Sequence, residues 1–200
     1  YDPNRIPVLF VHGAGGSPQN WRSFFEAIDR EKFQVWFFYY PSGASLNSMS
    51  HLLLWKLLNL QGRYRYTELY VAAHSMGGLD ARWMIYRYAM AGRVASLNTI
   101  GTPHWGTSYA DWGMKRFRWA VTLARKVGLH LEGFADLTRE ACAHRNALMA
   151  DYETENDVRY RTVAGFQPLK EVSPALCLSH RLVSRAEGEN DGLVSVSSAP

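Results

Sequence analysis

The chain is poor in cysteine, has no long apolar run and carries no strong excess of one charge. Cys142 and Cys177 are the only two cysteines in 200 residues, enough for at most one disulfide. Neither lies in a CxxC or His-rich setting, so a zinc site is not expected, and a bridge and two free thiols both stay open. A membrane-spanning helix needs about 20 consecutive apolar residues. The longest candidates are residues 35–40 and 52–60, and Lys56 interrupts the second. No segment reads as a signal peptide, and the chain opens on Tyr1 rather than Met, which leaves the compartment open. The net charge of +4 is mostly scattered, with clusters only at residues 115–118 and 125–126. A nucleic-acid partner is not expected from it; such a partner would show as salt-sensitive affinity. Repeats and Gly/Ser linker tracts are absent. The remainder, 47% hydrophobic and 14% aromatic, is the composition of one globular domain with a full core.

Short apolar runs alternate with helix-like stretches. Residues 6–11, 33–40, 69–73 and 94–100 read as strands, each followed by a turn or a helix start. Ser17-Pro18 opens one helix, residues 49–60 form a second ended by Gly62, and residues 79–90 form a third. Residues 109–152 read as mostly helical, and residues 157–165 and 181–185 as two later strands. Strands that are apolar throughout and separated by helices imply a parallel sheet covered on both faces. Such an α/β sheet collects its functional residues at the C-terminal ends of its strands.

The strongest chemical signal is Ala73-His74-Ser75-Met76-Gly77-Gly78, between a buried strand and an amphipathic helix. A serine hydroxyl is a weak nucleophile and must be presented to a base and to substrate together. A sharp strand-to-helix turn does this, and needs small residues two before and two after the serine. Ala73 and Gly77 meet that need, although Ala73 departs from the G-x-S-x-G form. The bland alternative makes Ser75 an ordinary helix cap. The helix start also offers free N–H groups to an anion, with the Met76 N–H first among them.

The first strand ends in His12-Gly13-Ala14-Gly15-Gly16. Its spacing fits neither nucleotide-binding glycine pattern, so a loop offering a backbone N–H beside the serine turn fits better. With HG at the first strand, AHSMGG, then Gly101-Thr102-Pro103-His104-Trp105-Gly106, then Glu189-Asn190-Asp191-Gly192-Leu193-Val194, the chain resembles the α/β-hydrolase lipases and serine esterases. These blocks stand in the family's order over nearly the whole length. The resemblance implies an α/β-hydrolase fold, a mostly parallel sheet with helices on both faces and a small helical cap. It implies Ser75 as nucleophile, Asp191 as the acid, and the N–H groups of Ala14 and Met76 as an oxyanion hole. Asp191 alone would read as a plain Asn-Asp-Gly turn. The implied reaction is ester hydrolysis through an acyl-enzyme, on a lipid or other acyl ester, without a metal or organic cofactor. Acyl transfer and a non-catalytic binding module are the alternatives.

The family order is serine, acid, histidine, yet no His follows Asp191. Histidines occur at 12, 51, 74, 104, 130, 144 and 180, and His104 is the best substitute among them. The expectation is that the natural protein continues past Pro200 into a strand and a histidine loop. Residues 111–134 carry Trp112, Met114, Phe117, Val121, Ala124, Val127 and Leu131 at helical spacing, with basic residues between them. They read as a core helix with a solvated face, or as a cap at about residues 107–150 that contacts a lipid surface.

Overall fold

The computed structural model describes residues 1–117 and 132–200. Five strands form one sheet: β1 (Ile6–Val11), β2 (Phe33–Phe38), β3 (Tyr70–His74), β4 (Ser96–Ile100) and β5 (Arg159–Val163). Their order is β2-β1-β3-β4-β5, and every adjacent pair is parallel. The helices are α1 (Arg22–Ala27), α2 (Leu46–Tyr64), α3 (Met76–Arg87), α4 (Ser108–Arg116), α5 (Glu132–Ala135), α6 (Arg139–Thr154) and α7 (Cys177–Glu187).

The two-residue period of a strand explains why β1 is apolar without interruption. Leu9 and Val11 face one way, into a core shared with Leu53, Leu57, Val71, Met84, Ile85 and Leu97. Val8 and Phe10 face the other, against Trp21, Phe25 and Tyr70. β5 closes one edge of the sheet and is mostly exposed. Its Arg159 and Arg161 are charges of the kind that discourage edge-to-edge pairing.

Three sequence expectations change. Helix α2 runs through Gly62 to Tyr64 and is capped by Arg65, whose φ of 50° places it in the left-handed region. One helical glycine costs only about 1 kcal/mol, and the packing of Tyr64 on Tyr1 extends the helix past it. Helix α3 begins at Met76, directly after the serine. Residues 181–185 are helix, not strand: α7 buries Ser179, His180 and Val183, a spacing that suits a helix face. Asp191 therefore follows a helix rather than a strand. Both cysteines are free thiols, Cys142 buried and Cys177 half-buried.

Within the expected cap region, α4 packs against α5, α6 and α7. Trp112 stacks on Tyr109 and meets Phe117 edge-on. Val121, Ala124, Val127, Leu131 and the cluster at residues 125–126 lie outside the described residues. Among the described residues, no helix is long and apolar enough to cross a membrane.

Candidate active site

Ser75 stands between the last residue of β3 and the first of α3 with φ 52° and ψ −129°. L-residues avoid this conformation, and holding one there costs about 1–3 kcal/mol. The surrounding backbone enforces it. The Ser75 N–H donates to the Ile100 carbonyl at 2.9 Å, and the Gly78 N–H donates to the Ser75 carbonyl at 3.0 Å. Glycine is required on three sides of the turn. A Cβ on Gly13 would stand 2.7 Å from Ser75 Cβ, one on Gly77 would stand 2.3 Å from the His12 carbonyl oxygen, and one on Gly78 would meet Thr102 Oγ1 at 2.2 Å. Gly77 is thus small because it packs on the end of β1. Gly77→Ala forces main chain apart where no flexible side chain can yield. It is expected to lower stability by about 3 kcal/mol, read as a drop in the urea midpoint; an unchanged midpoint would contradict this packing.

The result is a half-buried Ser75 side chain that has no hydrogen-bond partner among the described residues. Met76 opens α3 with its N–H unpaired among the described residues, as the first residue of any helix does. The Ala14 N–H is likewise unpaired among the described residues, on an exposed loop whose next amide, Gly15, donates to Ser42 Oγ at 2.7 Å. Gly13, packed on Ser75 Cβ, ties this loop to the turn.

Asp191 reaches the same place from another part of the chain. Its Oδ1 accepts from the amides of Leu193 and Val194, each at 2.9 Å, which orients the carboxylate. Its Oδ2 faces Gly101 at the end of β4, where an added Cβ would stand 3.1 Å from Oδ2 and 4.0 Å from His74 Nε2. The elbow, the end of β4 and the Asp191 turn therefore meet.

The histidines divide by what occupies their rings. His104, the best substitute base on sequence grounds, is excluded from that role. Arg82 donates to its Nδ1 at 3.2 Å and its Nε2 lies 3.0 Å from Thr99 Oγ1. An arginine can only donate, so His104 is neutral, with its proton on Nε2 directed to Thr99. Burial, aided by the Arg82 charge, pushes its pKa down to about 3. It belongs to a structural cluster in which Arg82 also grips Glu153 through two bonds of 2.6 and 2.7 Å beside a cavity of about 680 Å³. His12 bonds Gly13 O and the Tyr40 N–H. His180 bonds Gln167 O. His51 and His144 are exposed, and His130 lies outside the described residues. His74 remains solvent-exposed, yet crowding around its ring lowers its pKa; the Asp191 carboxylate opposes that shift and His12 reinforces it.

The sequence reading did not single out Tyr40 and Asp80. Asp80 is fully buried on α3, five positions after Ser75, and Tyr40 is buried just after β2. The available signal was an acidic residue between Leu79 and Ala81 on the face that packs into the core.

Comparison with known proteins agrees with this architecture. A family model described as alpha/beta hydrolase fold matches residues 6–149. The chain belongs to the alpha/beta hydrolase fold family. Solved structures share this fold. The mature form of Bacillus licheniformis lipase BlEst2 superposes with a TM-score of 0.77 at 23% identity, over 100% of this chain and 80% of that one. Its propeptide form gives a TM-score of 0.80 at 23% identity, with 100% and 44% covered. Legionella pneumophila phospholipase PlaB aligns over 78% of this chain and 38% of its own, with a TM-score of 0.57 at 18% identity. At these identities the likeness establishes the shared fold.

Proposed function

We propose that the chain is a carboxylic ester hydrolase of the lipase and esterase kind. The observation that carries this reading is Ser75, held at φ 52° with its side chain unpartnered among the described residues, beside two unpaired amides. In the proposed reaction Ser75 Oγ attacks the ester carbonyl. The Met76 and Ala14 N–H groups receive the oxyanion, each contributing a few kcal/mol in the transition state. The alcohol leaves, and water hydrolyses the acyl-enzyme. Exposed Tyr39, Trp105, Phe166 and Leu193 follow β2, β4 and β5 or flank Asp191. They favour an apolar acyl substrate or a lipid surface, and the BlEst2 and PlaB names are in keeping with that class.

The reaction needs a base between Ser75 and Asp191 Oδ2. We infer that it is a histidine outside the described residues, since each described histidine except His74 is either committed elsewhere or exposed on helices α2 and α6. His74 precedes Ser75 on the chain and supports the loop in this reading. The same observation favours one rival: a binding module that keeps the pocket without the chemistry.

Intact mass after treatment with a fluorophosphonate separates these readings. Ser75 Oγ would displace fluoride from phosphorus and retain the phosphonyl group. The full-length gene product should gain one adduct that Ser75→Ala does not gain. Folded full-length protein that gains none would establish the binding module instead.

A further inference from the structure

Tyr40 Oη stands 2.7 Å from the His12 carbonyl oxygen and 2.7 Å from Asp80 Oδ2. A phenol has one proton, and a carbonyl can only accept. If Asp80 were ionised, it too could only accept. One of these two contacts would then press lone pairs together at hydrogen-bond distance, in the core. Both contacts are satisfied when Asp80 carries a proton: Asp80 donates to Tyr40, and Tyr40 donates to His12. A second feature agrees. Asp80 Oδ1 is buried without any hydrogen-bond partner among the described residues, which is far costlier for a carboxylate than for a neutral acid.

This relay lies beneath the loop that the proposed function assigns to the oxyanion. The His12 carbonyl packs against Gly77, and Gly13 packs against Ser75. We propose that Asp80 is a positioning residue: held protonated, it commits the single proton of Tyr40 to the His12 carbonyl and so locks the Ala14 loop against the serine turn. The role in catalysis rests on the reading of Ser75 and Ala14 given above; the proton relay does not.

The surroundings match a neutral acid. The loop after β1 contributes His12, whose ring is already bonded to Gly13 O and the Tyr40 N–H. Helix α2 buries only Leu46, Met49, Ser50, Leu53 and Leu57. From the α5–α6 side come Asp136, which opposes ionisation, and Arg145, which favours it, and these two are already paired with each other at 3.1 Å. Cys142 packs there too, next to Leu79, and burial holds its thiol protonated. Burial is the largest influence on Asp80 itself and raises its carboxyl to about 7. The folded state therefore binds this proton more tightly than the unfolded chain. The relay is intact below about pH 7 and fails as pH rises through it. Ionised Asp80 would accept the Tyr40 hydrogen bond in place of the His12 carbonyl and so release that carbonyl.

The test is amide hydrogen exchange of the peptide covering residues 12–17 from pH 5.5 to 9, corrected for intrinsic rates, on the full-length gene product. The protection should fall by up to about tenfold per pH unit between pH 5.5 and about 7, the slope of a single ionisation, and level off above it. Asp80→Asn keeps a donor for Tyr40 and should be flat with pH. Tyr40→Phe has no proton to give and should be flat and low. The melting temperature of Asp80→Asn relative to the parent should rise between pH 5 and 8. Flat protection in the parent, or a parallel fall in Asp80→Asn, overturns the proposal. Fluorophosphonate labelling in parallel keeps the two readings apart. Protection that behaves as expected in a protein that never labels would reject the hydrolase and leave the relay standing.

Discussion

Ser75→Ala is expected to lower hydrolysis of a short-chain nitrophenyl ester by about 10⁶-fold in the full-length gene product. In the proposed reaction its hydroxyl is the nucleophile, held in a strained turn beside two amides unpaired among the described residues, so its loss removes the covalent route altogether. What survives is the contribution of the oxyanion hole and of binding. The fold should survive as well, because Ser75 Oγ makes no hydrogen bond among the described residues for alanine to lose. Ser75→Gly should raise the melting temperature, since glycine relieves about 1 kcal/mol of strain at φ 52°. Unchanged turnover in Ser75→Ala would move the chemistry elsewhere in the chain.

Asp191→Asn should cost about 10⁴-fold in the same assay, the scale of an orienting acid lost from a serine triad. This variant isolates charge from architecture. Oδ1 accepts the Leu193 and Val194 amides at 2.9 Å, and the amide oxygen of asparagine can accept both. The turn should keep its shape while Oδ2, which faces Gly101 and the His74 ring, becomes a donor. A histidine held there would be turned to the wrong tautomer. Loss of activity with an unchanged melting temperature is the expected pair of results. Loss of both would make Asp191 a structural turn residue, the alternative that its Asn-Asp-Gly setting always carried.

Much of this site was legible before any coordinates. AHSMGG is a local signal, because the strain at Ser75 is set by its immediate neighbours and by the glycines that let other backbone approach. The apolar runs of β1, β3 and β4 were legible for a related reason: strands covered on both faces leave no polar period. The later part of the chain read less well. Residues 181–185 alone suit a short strand as well as a helix, and only the burial of Ser179, His180 and Val183 on one face decides for α7. Helix α2 outran its glycine because tertiary packing outweighs a propensity of about 1 kcal/mol.

Histidine illustrates the limit more sharply. Position 104 follows β4 in a loop that looks like part of a cleft, which made it the best substitute base. Whether a ring is free or committed depends on partners far along the chain, here Arg82 and Thr99. The sharing of Tyr40 Oη between His12 and Asp80 is of the same kind, spanning three separate segments.

By itself the sequence determined the family, the serine turn, the glycine-rich first loop and a parallel sheet, because each is written in neighbouring residues or in a short period. Only the tertiary structure decided which histidines are committed elsewhere, that Asp191 meets the elbow at Gly101, and that a buried acid stands under the Ala14 loop. Those facts depend on which segments touch, and contact between distant segments is a property of the packed core rather than of any window of sequence.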